Sequence, residues 1–155
     1  MAVRTRYYEN IIADGVSKDL YKYLRNNIPW VESVRSKLGF TRLGYSLSSQ
    51  SKHYEKVEPV IITAMDICDI PYERLMYVYM NYYVDGTHWS PNHSHKDTIQ
   101  IVISLGATRD LNVAKKVYPM NNGDVIVFGA SIHGVPKDDT CKRGRISIAL
   151  FISKK

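Results

Sequence analysis

The run Leu75-Met76-Tyr77-Val78-Tyr79-Met80-Asn81-Tyr82-Tyr83 is rich in aromatic and branched residues and leads to the turn pair Asp85-Gly86. Such a run predicts a strand. Working downstream, Ile99-Gln100-Ile101-Val102-Ile103-Ser104-Leu105 predicts a second strand closed by Gly106. Residues 110–113, 125–128 and 145–152 predict three more, with Asn121-Asn122-Gly123-Asp124 as a hairpin-type turn between two of them. Upstream the period changes. Leu20, Tyr23 and Leu24 fall at helical spacing behind Ser17, a candidate cap, and that helix should stop before Pro29, with Trp30 plugging the core. A second helix is predicted over 58–68, with Ile61, Ile62, Met65 and Cys68 on its buried face and Pro71 past its end. Residues 35–56 read as short strands and loops. Two helices followed by roughly seven short strands indicate an α+β domain built on a β-sandwich or barrel.

The chain has 155 residues, which predicts one domain. Hydrophobic residues make up 45% and charged residues 23%, so disorder is excluded. A net charge of +6 leans toward polyanionic partners. The two cysteines, Cys68 and Cys141, are far apart, which excludes a CxxC zinc ribbon or redox motif and leaves a reduced, intracellular (cytoplasmic or nuclear) protein as the expectation. Neither a signal peptide nor a membrane span is expected.

Four of the five histidines, His88, His93, His95 and His133, fall in the strand region. In an extended segment, His93, His95 and Asp97 share one face. Two of them, with His133 from a distant strand, can take three adjacent corners of a metal. Non-haem Fe(II) oxygenases need that arrangement, which leaves three positions open.

Several motifs in order resemble the AlkB-like 2-oxoglutarate- and Fe(II)-dependent dioxygenases over about residues 28–152. They are Asn81-Tyr82-Tyr83 with His93 12 residues after Asn81, and Ser104-Leu105-Gly106-Ala107-Thr108-Arg109. Next come Gly123-Asp124-Val125-Ile126-Val127-Phe128 before His133, and Arg145-Ile146-Ser147 12 residues after it. The resemblance implies a double-stranded β-helix (jelly roll) with two N-terminal helices packed on one sheet. It implies a nucleotide-recognition lid within 1–74 and the β-helix core over 75–155. Fe(II) would lie between the sheets, Asn81 and Tyr83 would contact 2-oxoglutarate, and Arg145, with Ser147 beside it, would pair with the distal carboxylate. A fixed guanidinium suits that task better than a lysine.

The sequence departs from the family pattern at three places. His95 stands where the family has the ligand Asp; Phe151 stands where a second Arg is common; and Lys96 stands where an acid follows the ligands. Either the site is His93, His95 and His133, with Asp97 accepting from a ligand N–H, or a two-residue insertion restores His95-Lys96-Asp97 with Asp97 as third ligand. We take the first, because Lys96-Asp97-Thr98 is about the minimum for reversing the chain before the next strand.

Residues 25–56 carry six basic side chains (Arg25, Arg35, Lys37, Arg42, Lys52, Lys56) against two acids. In the family this is the lid, so Arg42 and Tyr45 are the candidates for substrate contact, with Trp89 as a further stacking residue. The resemblance implies an enzyme that removes alkyl groups from modified nucleic-acid bases, and a monomer is the expectation. The alternatives are the same fold acting on a protein or small molecule, an inactive nucleic-acid-binding module, and a three-histidine thiol dioxygenase with no use for Arg145.

Overall fold

A computed structural model describes residues 3–36 and 39–154, without the side chains of 33–40. In chain order the elements are β1 (Arg6–Tyr8), α1 (Asp14–Asn27), β2 (Val31–Ser36), β3 (Gly39–Leu47) and α2 (Tyr54–Ile67), then a single 3-10 turn. There follow β4 (Leu75–Tyr83), β5 (Ser90–His93), β6 (Thr98–Gly106), β7 (Arg109–Val113) and β8 (Lys116–Met120). The last three are β9 (Val125–Phe128), β10 (His133–Val135) and β11 (Arg145–Ser153). Seven strands form one sheet in the order β1-β9-β6-β11-β4-β3-β2, and four form a second in the order β5-β10-β7-β8. Every recorded pairing is antiparallel. This is the expected jelly roll, with both helices on the larger sheet.

Strand alternation builds two cores from one sheet. Along β11, Ile146, Ile148, Leu150 and Ile152 join Leu20, Leu24, Val57, Ile61 and Met65 of the helices. The residues between them face the other way, toward the four-stranded sheet. There Val102, Ile126 and Phe128 pack with Leu111, Val113 and Met120. No helix of the described residues is long and apolar enough to cross a membrane.

Helix α1 begins a turn before Ser17. Asp14 occupies the first turn and Arg25 the last, matching the helix dipole. Ser17 is buried inside the helix, and its hydroxyl donates back to Ala13 O. The helix stops where Ile28 turns extended, as a residue before proline prefers. Trp30 then packs against the core and donates to Leu24 O at 3.1 Å. Helix α2 starts four residues earlier than expected, and its buried face is Val57, Val60, Ile61, Ala64 and Met65. Ile62 is 43% exposed and lies off that face.

Asp124 fastens the sheet edge. Its carboxylate accepts from the Tyr7 hydroxyl, from Asn10 N at 2.8 Å and from Asn121 N at 2.9 Å. Gly123 beside it has φ +89, and a Cβ there would lie 2.5 Å from Ile12 O, so only glycine fits.

Candidate metal and anion site

The two sheets open on a cavity of about 410 Å³. Its walls carry His93 from β5, His95 from the bend after β5, His133 from β10, and Arg145 and Ser147 from β11. Asn81 and Tyr83 of β4 and Arg42 of β3 complete its polar lining. No carboxylate lines it among the described residues.

The histidine nitrogens lie within 4.8 Å of one another, close enough for one ion. Two of the rings are held from behind. His93 Nδ1 donates to Pro91 O at 2.7 Å and His133 Nδ1 to Ser131 O at 2.9 Å. Those bonds place the proton on Nδ1 and leave Nε2 as a bare lone pair, the form a metal needs. His133 Nε2 is buried with no partner. Burial, with repulsion from His93 and His95, lowers the His133 pKa to about 4. Burial and then His93 also lower His95. Thus these two imidazoles stay neutral at physiological pH and ready to ligate. Gly134 makes the close packing of β5 and β10 possible, since a Cβ there would meet Asn92 Oδ1 at 2.5 Å.

Asp97 stands apart. It has φ +61 in the turn, its side chain is 94% exposed, and its nearest cation is Lys154 Nζ at 3.9 Å. It does not face the cluster, either as a third ligand or as an acceptor for a ligand N–H; the carbonyls of Pro91 and Ser131 supply that support instead. The strand ends at His93, so the shared 93/95/97 face breaks at the turn.

Arg145 is 1% exposed. Its Nε donates to Ser104 Oγ at 2.8 Å, and its guanidinium lies 5.4 Å from the Tyr83 ring centroid. Both terminal nitrogens are buried without a partner. Burial pushes its pKa below the ordinary value, Tyr83 opposes that shift, and Arg109 adds to it. An arginine stays charged regardless. A buried, half-satisfied guanidinium in a cavity without carboxylates has the chemistry to receive an anion.

Asn81 and Ser147 are cross-strand neighbours, with Asn81 Nδ2 at 3.4 Å from Ser147 Oγ. Arg42 is buried, donating from Nε to Asn81 Oδ1 at 3.0 Å and from Nη1 to Thr41 Oγ1 at 3.0 Å. It points into the cavity rather than out to a polymer. Tyr45 lies on the opposite face of β3 and packs against the helix-side core. Trp89 lines a separate groove, with Lys137 Nζ 5.6 Å above its ring. Lys37 lies outside the described residues, as does the side chain of Arg35. The stretch expected as a lid thus contributes β2 and β3 to the large sheet.

Two residues to which the sequence reading assigned no role shape the site. Arg109, 1% exposed, donates to the carbonyls of Asp85, His88 and Pro136 and so ties two loops to β7. Gln100 reaches the cavity from β6. The alternation of 99–105 places Gln100 opposite the helix-facing isoleucines and could have flagged a polar residue on the inner face; Arg109 closes the 104–109 motif, which marked it without giving it a role.

No protein-family model matches the sequence, and no curated protein matches it significantly. Solved structures do match in fold. A Pseudomonas putida prolyl-4-hydroxylase aligns with TM-score 0.65 at 13% identity, over 97% of this chain and 93% of its own. A prolyl hydroxylase from Trichoplax adhaerens, in complex with a hypoxia inducible factor peptide fragment, aligns with TM-score 0.66 at 11% identity, over 96% and 83%. A predicted oxalate decarboxylase from Thermotoga maritima aligns with TM-score 0.50 at 15% identity, over 72% and 80%. The chain therefore has the jelly-roll fold of the prolyl hydroxylases. At these identities the likeness is one of fold, and it does not single out the AlkB-like branch.

Proposed function

We propose that this protein is a 2-oxoglutarate- and Fe(II)-dependent dioxygenase with a three-histidine iron site. One observation carries the reading: the two unpartnered terminal nitrogens of Arg145 share a cavity with three imidazoles whose ring nitrogens converge. A thiol dioxygenase would leave that guanidinium without a use. Iron fits the residues present. Neutral imidazoles ligate it, and three ligands from one side leave positions open on the other. 2-Oxoglutarate fits as well, since a dicarboxylate supplies the negative charge that the cavity lacks.

In this reading His93, His95 and His133 hold the metal, and the Pro91 and Ser131 carbonyls fix two of the rings. Arg145 binds the distal carboxylate, with Ser147 beside it. Asn81, its oxygen engaged by Arg42, turns its amide N–H toward the co-substrate. Tyr83 walls the cavity next to Arg145. Bound iron and 2-oxoglutarate together supply the oxidation of a substrate C–H by dioxygen. The protein orients the two and keeps bulk water from the charged end.

The substrate reading favoured is a protein side chain or small molecule rather than an alkylated base. Arg42 is committed to Asn81, Tyr45 faces the core, and two structures of the same fold are prolyl hydroxylases, one holding a peptide. The test is conversion of 2-oxoglutarate to succinate by the Fe(II)-loaded protein, with peptides, free nucleosides and methylated oligonucleotides offered in parallel. Stimulation by peptides supports the reading. Stimulation by oligonucleotides alone restores the base-demethylating one. Failure to bind 2-oxoglutarate sinks both.

A further inference from the structure

Gln100 is 7% exposed, and its carboxamide oxygen is buried with no hydrogen-bond partner. An acceptor left unpaired in the interior is unfavourable, and a ligand in the cavity would satisfy it. Its place in the sheet shows which ligand. On β6, Gln100 is directly paired with Phe151 of β11 on one side and Phe128 of β9 on the other. Directly paired residues project to the same face. The Phe151 ring meets His95 edge-on at 5.0 Å, and the Phe128 ring lies 4.7 Å from His133. Gln100 is thus the middle of a row whose two ends touch two of the three histidines.

The histidines all come from the smaller sheet and the bend that follows β5. A metal held by them would lie in the cavity that Gln100 lines from the larger sheet. We propose that Gln100 is a positioning residue for this metal, its carboxamide oxygen accepting a hydrogen bond from the water that completes the coordination. The proposal rests on the three-histidine reading. It explains why a carboxamide stands between two phenylalanines: an apolar residue there would fill the space but hold no water.

The test uses Co(II) as probe, read by titration and by visible absorption of the loaded protein, beside the melting point of the metal-free form. Q100M keeps the length of the side chain and removes the acceptor; Q100E keeps an acceptor oxygen. The expected result for Q100M is Co(II) affinity lower by roughly tenfold, a shifted absorption spectrum, and a metal-free melting point no lower than the parent's. Q100E should recover the affinity. A purely structural side chain would move melting points without moving affinity or spectrum. Parent-like affinity and spectrum in Q100M overturn the role given to Gln100. A parent protein that takes up no Co(II) overturns the metal site itself.

Discussion

Arg42 Nε donates to Asn81 Oδ1 at 3.0 Å, across the neighbouring strands β3 and β4. The bond occupies the amide's acceptor and leaves its donor end toward Ser147. A basic residue of the expected lid therefore orients a residue of the expected co-substrate site. Arg42→Met should weaken 2-oxoglutarate binding roughly tenfold, the size of one hydrogen bond to a charged group. It should also leave the salt dependence of any oligonucleotide binding unchanged, because the guanidinium is not displayed. Calorimetric titration and a binding series in rising salt measure the two; a flattened salt slope would return Arg42 to a phosphate.

Arg145→Met removes a buried cation and puts an apolar chain of similar length in its place. Affinity for 2-oxoglutarate should fall by about 2–5 kcal/mol, with metal binding retained. Unchanged affinity would move the distal carboxylate elsewhere and bring back the thiol-type reading.

His93→Ala, His95→Ala and His133→Ala should each abolish tight metal binding, whereas Asp97→Asn should match the parent. Asp97 is exposed beside Lys154 and does not face the cluster. Metal titration of the four variants decides between three histidines and a shifted triad. An empty site in Asp97→Asn would decide for the latter.

Acid should destabilise the metal-free protein. The folded pKa of His133 is about 4 against 6.5 for the unfolded chain, so between those values the unfolded state binds more protons. Stability should be fully present above pH 6.5 and decline as pH falls toward 4, by about 3 kcal/mol from this group. His95 contributes with the same sign. Denaturant melts at pH 5 and pH 7.5 should show the loss, and His133→Gln should reduce it. An equal loss in the variant would assign the effect to other groups.

β4, β6, β7, β9 and β11 are legible in the sequence, while β3, as long as β4, falls within a stretch that reads as short strands and loops. β4, β6 and β11 carry enough alternation for a period of two to stand out. β5, with Pro91 inside it, and β10, only His133–Val135, are too short to show a period, yet they present two of the histidines. The three histidines stand out in the sequence through their chemistry and spacing, not through their strands. Arg42 and Tyr45 were misplaced for a different reason. Residues 35–56 read only as short strands and loops because glycine and polar residues interrupt them. Once 39–47 form a strand, alternation sends Arg42 into the cavity and Tyr45 into the core. Gln100 is visible as a polar residue within an otherwise largely apolar strand, but the strand reading gives it no role.

β11 has a consequence for how this protein can change over generations. Its odd positions, Arg145, Ser147, Ala149 and Phe151, line the cavity, while its even positions, Ile146, Ile148, Leu150 and Ile152, are locked against the helices. Chemistry and scaffold are interleaved along nine residues yet face opposite neighbours. Substitutions at odd positions can redirect what is bound without loosening the scaffold. Substitutions at even positions are filtered by folding before any reaction is tested. A lineage of this chain could therefore exchange one reaction for another through the odd positions of β11 while its even positions stayed fixed.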